Sequence, residues 1–118
     1  MQRRFRLTRS EDFKRVRRSG KSYAHPLVVL IALKNEESEK RVRVGVAAGR
    51  TIGTAVTRNR AKRLLREAMR PLIPNVASGS DLILIARPAL VAASLEEIRQ
   101  ALLDLLKRAR ILHPAHES

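Results

Sequence analysis

Apolar positions recur at two different periods along this 118-residue chain, and the changes of period divide it into elements. Near the start, Phe13 and Val16 share one face of a short helix. Thr8-Arg9-Ser10-Glu11 fits a capping box, with Ser10 as a competing N-cap. Ser19-Gly20 should end that helix. Two to three turns do not stand alone in water, so its Phe13 side must dock on something. Residues 23–33 are strand material. The run Leu27 to Leu33 lacks clean alternation, which predicts a strand covered on both faces, and Pro26 marks an edge position or a strand start. The polar turn Asn35-Glu36-Glu37-Ser38-Glu39 then predicts a hairpin to a strand over residues 41–48. There Val42, Val44 and Val46 alternate with Arg41, Arg43 and Gly45.

A glycine loop, Gly49-Arg50-Thr51-Ile52-Gly53, leads into a helix over residues 55–70 with Thr54 as N-cap. Pro71 and Pro74 end that helix. After a loop over 75–80, Asp81-Leu82-Ile83-Leu84-Ile85-Ala86-Arg87 reads as another apolar strand, stopped by Pro88. Strand, helix and strand in this order read as a crossover between parallel strands. The last helix opens on a capping box, Ser94 with Glu97. Its stripe Leu95, Ile98, Ala101, Leu102, Leu105, Leu106 and Ala109 should cover one sheet face. The expected architecture is an α/β (α+β) two-layer sandwich in one domain over residues 1–118. A flexible basic arm over about 1–7 and a loose tail over about 111–118 complete it.

Charge changes the picture. The formal charge is +14, and it is segregated: residues 1–21 carry net +7, residues 50–70 net +6, and residues 71–118 net zero. Six of the sixteen residues in 55–70 are Arg or Lys. At about 100° per residue, Arg58, Lys62, Arg63, Arg66 and Arg70 fall on one broad side, opposite Ala61, Leu64, Leu65, Ala68 and Met69. Glu67 is the lone acid, positioned four residues from Arg63 for a helix-face pair. A solvent face usually mixes signs, so a face of nearly one sign requires an anionic partner. Two basic regions contacting several phosphates each make nucleic acid that partner. A strand and a glycine loop precede the basic helix, where a helix-turn-helix would need a second helix. This favours RNA shape over the DNA major groove. Asn59 can reach a base edge, a 2′-hydroxyl or only the local backbone.

Other chemistries are poorly supplied. With no Cys there is no disulfide frame, thiol nucleophile or thiolate metal site. His113 and His116 lack a third ligand nearby, and His25 has no acid or hydroxyl to pair with as a base. Gly45, Gly49 and Gly53 are evenly spaced, but no P-loop Lys-Ser/Thr follows. No protein-borne cofactor is expected. The first segment lacks the apolar run of a signal peptide and no window approaches a membrane span, so a cytoplasmic protein is expected.

The segment Gly53-Thr54-Ala55-Val56-Thr57-Arg58-Asn59-Arg60-Ala61-Lys62-Arg63-Leu64-Leu65-Arg66-Glu67 closely resembles the signature of the bacterial ribonuclease P protein family. Arg6-Leu7, Glu11-Asp12-Phe13, Arg43-Val44-Gly45 and residues 81–87 match further family segments, so the resemblance spans about residues 3–110. It implies a left-handed crossover, against the usual rule. It also implies two RNA partners, a large catalytic RNA and a precursor tRNA whose 5′ leader is removed by hydrolysis at RNA-bound Mg²⁺. No obligate protein partner is implied. By position, Arg58, Asn59, Arg60, Lys62, Arg63 and Arg66 would contact the catalytic RNA, with Arg50 and Arg70 beside them. Phe13, Arg17 and Ile31, with Tyr23, would line the leader cleft. The chain departs from the family where Arg17 and Ile31 replace common aromatics, where Arg50-Thr51 replaces two lysines, and where Ala61 replaces a larger aliphatic residue. Leader binding should then rest less on base stacking and more on Arg17 and aliphatic contact. The rival readings are a structural RNA-binding protein such as a ribosomal component, and a protein-only nuclease, for which convergent acids or histidines are missing.

Overall fold

In the computed structural model of the chain, which describes residues 5–35 and 41–113, Pro26 splits the run 23–33 into two strands. These are β1 (Lys21–Ala24) and β2 (Val28–Lys34). They pair antiparallel, with Lys21 opposite Ala32 and Tyr23 opposite Leu30. His25 closes the turn between them: its backbone N–H donates to the Val28 carbonyl at 3.0 Å, and its Nδ1 accepts from the Leu27 N–H at 3.1 Å. This histidine is a turn residue.

The expected hairpin from β2 to β3 (Val42–Ala47) does not form. The sheet order is β1-β2-β4-β3, with β4 (Ser80–Ala86) inserted between β2 and β3. β4 is antiparallel to β2 and parallel to β3. The cause lies in β4 itself. Its Leu82 and Leu84 point to one face and Ile83 and Ile85 to the other, and all but Ile85 are fully buried. A strand apolar on both faces gains most at the centre of a sheet. The turn residues 36–39 lie outside the described residues. The parallel β3–β4 pair is joined, as expected, through a helix, α2 (Ala55–Met69).

Helices flank the mixed sheet on both faces, so the layers number three rather than two. α2 and α3 (Leu95–Arg108) cover one face, where Leu65, Met69, Ile98, Leu102, Leu105 and Leu106 bury Val28, Leu30, Val44, Leu82 and Leu84. α1 (Ser10–Ser19) sits on the other. There Val16, Ile31, Ile83 and Leu7 are buried, while Phe13, Val29, Leu33 and Ile85 stay half-buried. The ends are held as well. Leu7 donates its N–H to the Val44 carbonyl at 2.9 Å, so residues 5–7 follow the outer edge of β3. His113 donates to Asn75 and Ala77 to Ile111, which ties residues 111–113 to the segment before β4. Residues 1–4 and 114–118, with His116, lie outside the described residues.

The caps divide. Thr54 Oγ1 accepts from the Thr57 N–H at 3.3 Å, and Ser94 and Glu97 complete both bonds of their box at 2.9 and 3.1 Å. The box expected at Thr8 to Glu11 is absent: Arg9 is the N-cap and has no side-chain bond. Leu95, expected in the α3 stripe, is 37% exposed, because it opens the helix before the stripe reaches the sheet. α2 continues past Met69 as a 3-10 segment, Arg70–Asn75, with Pro71 in its first turn, where a missing N–H is harmless.

Leu65 is fully buried whereas Leu64 is only partly so. Leu65→Ala should therefore cost about 2–5 kcal/mol in urea unfolding, and Leu64→Ala clearly less. Equal losses would mean that α2 is rotated from the orientation described.

Candidate nucleic-acid interface

α2 carries its cations in two rows. Asn59, Arg60, Arg63 and Arg70 are exposed along its outer face, together with Val56, which is 78% exposed. Arg58, Lys62 and Arg66, spaced four apart, form a half-buried row along the flank. Among the described residues the only ion pair on this helix is Arg70 with Glu67 at 3.4 Å, so Glu67 pairs one turn forward and not back to Arg63. The Nε of Arg58 is buried with no partner among the described residues. Burial and the neighbouring charge of Arg6 both push the Arg66 guanidinium below its ordinary value. Arg6 thus belongs to this cationic surface, brought there by its pairing with Val44 on the edge of β3. Arg50 is exposed in the 3-10 turn (Arg50–Ile52) that precedes α2. Ala61 is buried in the face of α2 opposite the cations.

The second surface is the half-covered sheet face beside α1. Phe13 packs over Gly45: a Cβ on that glycine would come within 2.5 Å of Phe13 Cζ, so only glycine lets the ring settle on β3. Arg17 lies one turn along α1 from Phe13 and is exposed. Ile31 is 8% exposed, beneath the end of the helix. Phe13, Arg17 and Ile31 are therefore brought together. Tyr23 is not. Its register with Leu30 puts it on the opposite face, where it packs against the α2–α3 core.

Sequence reasoning missed what fixes α1 over this surface. Asp81, wholly buried at the start of β4, accepts from Arg43 Nε and Nη2 at 3.0 and 2.9 Å, from Arg15 Nη2 at 2.6 Å and from Asn35 Nδ2 at 2.9 Å. Asp12 adds contacts to Arg15 at 3.2 Å and Arg43 at 3.5 Å. Burial opposes the ionised carboxylate, but the hydrogen bonds from Arg43, Arg15 and Asn35 outweigh it and hold Asp81 below its ordinary value. The available signal was one acid in an otherwise apolar strand. Asp12, engaged here, does not leave α1 without an anchor where its capping box fails. Among the described residues no group of three or more His, Cys, Asp or Glu could hold a metal ion, and no helix is long and apolar enough to cross a membrane.

A mixed sheet flanked by helices, with a cationic helix face on one side and a half-open apolar face on the other, defines a basic RNA-binding α/β protein. The chain belongs to the ribonuclease P protein family: the family model described as Ribonuclease P matches residues 1–110. The ribonuclease P protein component of Brevibacillus brevis is 41% identical over 115 residues, covering 98% of this chain and 90% of the relative. That of Herpetosiphon aurantiacus is 42% identical over 113 residues, covering 96% and 90%. Among solved structures, the Staphylococcus aureus RNase P protein superposes with a TM-score of 0.80 at 28% identity, covering 92% of this chain and 98% of that one. The RNase P protein from Thermotoga maritima gives 0.74 at 32% identity, covering 87% and 96%.

The Asp81 cluster has a pH consequence. A carboxylate held below its ordinary value, near 3.8, adds stability that is fully present above that value and is lost as pH falls through the lower native one. Melting temperature should therefore drop on acidification below about pH 4. Asp81→Asn should lose about 3–5 kcal/mol at neutral pH, because it removes the negative charge that Arg15 and Arg43 share and turns one accepting oxygen into a donor. It should also flatten the acid slope, leaving the part due to Glu96, held down by the Gln100 side chain, and Glu97, held down by the backbone N–H of Ser94. An unchanged acid slope in the variant would show that Asp81 is not the group responsible.

Proposed function

We propose that the cationic face of α2 docks on the catalytic RNA while the half-open sheet face beside α1 takes the single-stranded leader of precursor tRNA. The chain is the protein subunit of ribonuclease P, assisting 5′ processing of precursor tRNA without being the catalyst. The observation that carries the two-surface reading is the α2 face itself: Arg58, Arg60, Lys62, Arg63 and Arg66 have no acid partner among the described residues. Unpaired charge of one sign is the footprint of a polyanion.

In this reading Arg50, Arg58, Arg60, Lys62, Arg63, Arg66 and Arg70 meet phosphates, and exposed Asn59 reaches a base edge or a 2′-hydroxyl. Phe13 and Ile31 give the leader an apolar floor, and Arg17 meets its backbone. Tyr23 drops out of this set because it faces the other layer. Mg²⁺ held by the catalytic RNA supplies the activated water and the charge stabilisation at the scissile phosphodiester. The side chains of this protein bind and orient, converting recognition into position. The whole of residues 1–118 serves as one RNA-binding unit working in the cytoplasm, and the family's left-handed β3–α2–β4 crossover belongs to the same reading.

A cleavage assay tests it. Precursor tRNA is incubated at low Mg²⁺ with the protein, with a bacterial-type catalytic RNA, and with both. Leader cleavage should require the RNA and rise when the protein is added. Cleavage by the protein alone, or no rise in the mixture, would overturn the accessory role.

The α2 face has its own test, in residues that support no packing. The double variant Arg60→Ala/Arg63→Ala should keep its melting temperature. It should bind catalytic RNA more weakly and with a salt dependence flatter by about two ions. Loss of the fold would instead make these side chains structural.

A further inference from the structure

Tyr23 has a surface of its own. The pairing of β1 with β2, and of β2 with β4, sets Lys21, Tyr23, Ala32 and Lys34 on the sheet face that α3 covers. α3 ends at Arg108, its capping residue Ala109 borders this corner, and the chain returns past it as Ile111, bonded to Ala77. The result is a groove of about 380 Å³. Tyr23 and Ala32 form its floor, Ile111 and Ala77 its walls, and Lys21 and Lys34 its rim; no acid lines it. Both lysines are exposed and the tyrosine is half-buried. The groove lies on the face opposite Phe13 and Ile31, so it is not an extension of the leader cleft.

A half-buried aromatic ring beside two ammonium groups, in a volume within the ~300–1,000 Å³ range of small-ligand sites, suits one kind of guest. That guest has a flat π-face to lie on the ring and an anion to reach the rim. We propose that this groove holds one unpaired nucleotide of an RNA, its base against Tyr23 and its phosphate between Lys21 and Lys34. This rests on the RNA-binding reading above and adds a second contact point, remote from α2. Either the catalytic RNA or the precursor can supply such a nucleotide, and the groove chemistry is the same for both.

The chain has a single Tyr and no Trp, so ¹³C-labelled tyrosine gives one ring that reports only on this groove. The probe is a mixed-sequence, single-stranded RNA of about ten nucleotides, a length within the usual site size of single-strand binders. The Tyr23 ring resonances should shift on titration, and should still shift in Arg60→Ala/Arg63→Ala. In Lys21→Gln/Lys34→Gln, which changes only exposed side chains, the same shift should need about 10-fold more RNA. Shifts of the α2 amides with a silent ring would overturn the groove proposal and leave the RNA-binding reading standing. Silence at both would overturn the two together.

The holoenzyme identifies the source. Tyr23→Leu keeps an apolar side chain in the floor and Tyr23→Phe keeps the stacking face. Leucine should weaken one step by about 10-fold and phenylalanine should restore it. If assembly with the catalytic RNA weakens, the nucleotide belongs to that RNA; if only the KM for precursor rises, it belongs to the precursor. No difference between the two variants in either step would overturn the proposal.

Discussion

One buried carboxylate decides how this molecule is put together. Asp81 is taken out of water at the start of the central strand, a position that costs several kcal/mol unless the charge is fully met. It is met from three other elements: Arg15 from α1, Arg43 from β3 and Asn35 from the end of β2. Only one placement of α1 on the sheet satisfies all of them. That placement sets Phe13 over Gly45, leaves Val29 and Ile85 half-covered, and so defines how much of the sheet face remains open. The open part of that sheet face is thus a consequence of an ion cluster centred on one carboxylate.

Two groups of arginines are used in opposite ways. Arg15 and Arg43 are spent inside, holding Asp81. Those along α2 itself have no acid partner among the described residues, and one of them, Arg66, crowds another cation, Arg6. Such a face opposes the folded state, and it is tolerated because α2 is anchored from beneath by Ala61, Leu65, Ala68 and Met69, all essentially buried. The helix was not shaped for its own stability. On the proposed reading its repulsion is relieved when phosphates occupy the face, which links RNA binding to the stability of the protein.

Local features were legible in the sequence. The α2 and α3 faces follow from periodicity, Thr54 and Ser94 cap as their spacing requires, and the β3–α2–β4 unit gives its parallel pair. What failed to show depends on contacts distant in sequence. β2 and β3 run in opposite directions, as the hairpin reading expects, but a polar stretch between them does not decide that β4 should take the place next to β2. The demand of Leu82, Ile83 and Leu84 for burial on both faces decides that. The resemblance groups Tyr23 with Ile31, but the turn at Pro26 pairs Tyr23 with Leu30, and one residue of register is enough to change the face. The capping box at Thr8 is a correct local pattern that does not form, in a helix whose Asp12 is engaged with Arg43, thirty-one residues away.

The departures from the family pattern take on meaning against this geometry. Where aromatic side chains are common, Ile31 lies under the end of α1 with 8% of its surface exposed, and Arg17 is out in solvent. On the proposed reading, Phe13 is then the one ring offered to a leader, and it is already half-committed to β3 through Gly45. Stacking is short-ranged and indifferent to salt, whereas an exposed guanidinium acts over about a Debye length and is screened. A cleft that exchanges rings for Arg17 attracts its strand from farther away and grips it less specifically. Its missing aromatic contact is not made up elsewhere on that face, because the chain's single tyrosine sits across the sheet, in the groove beside α3.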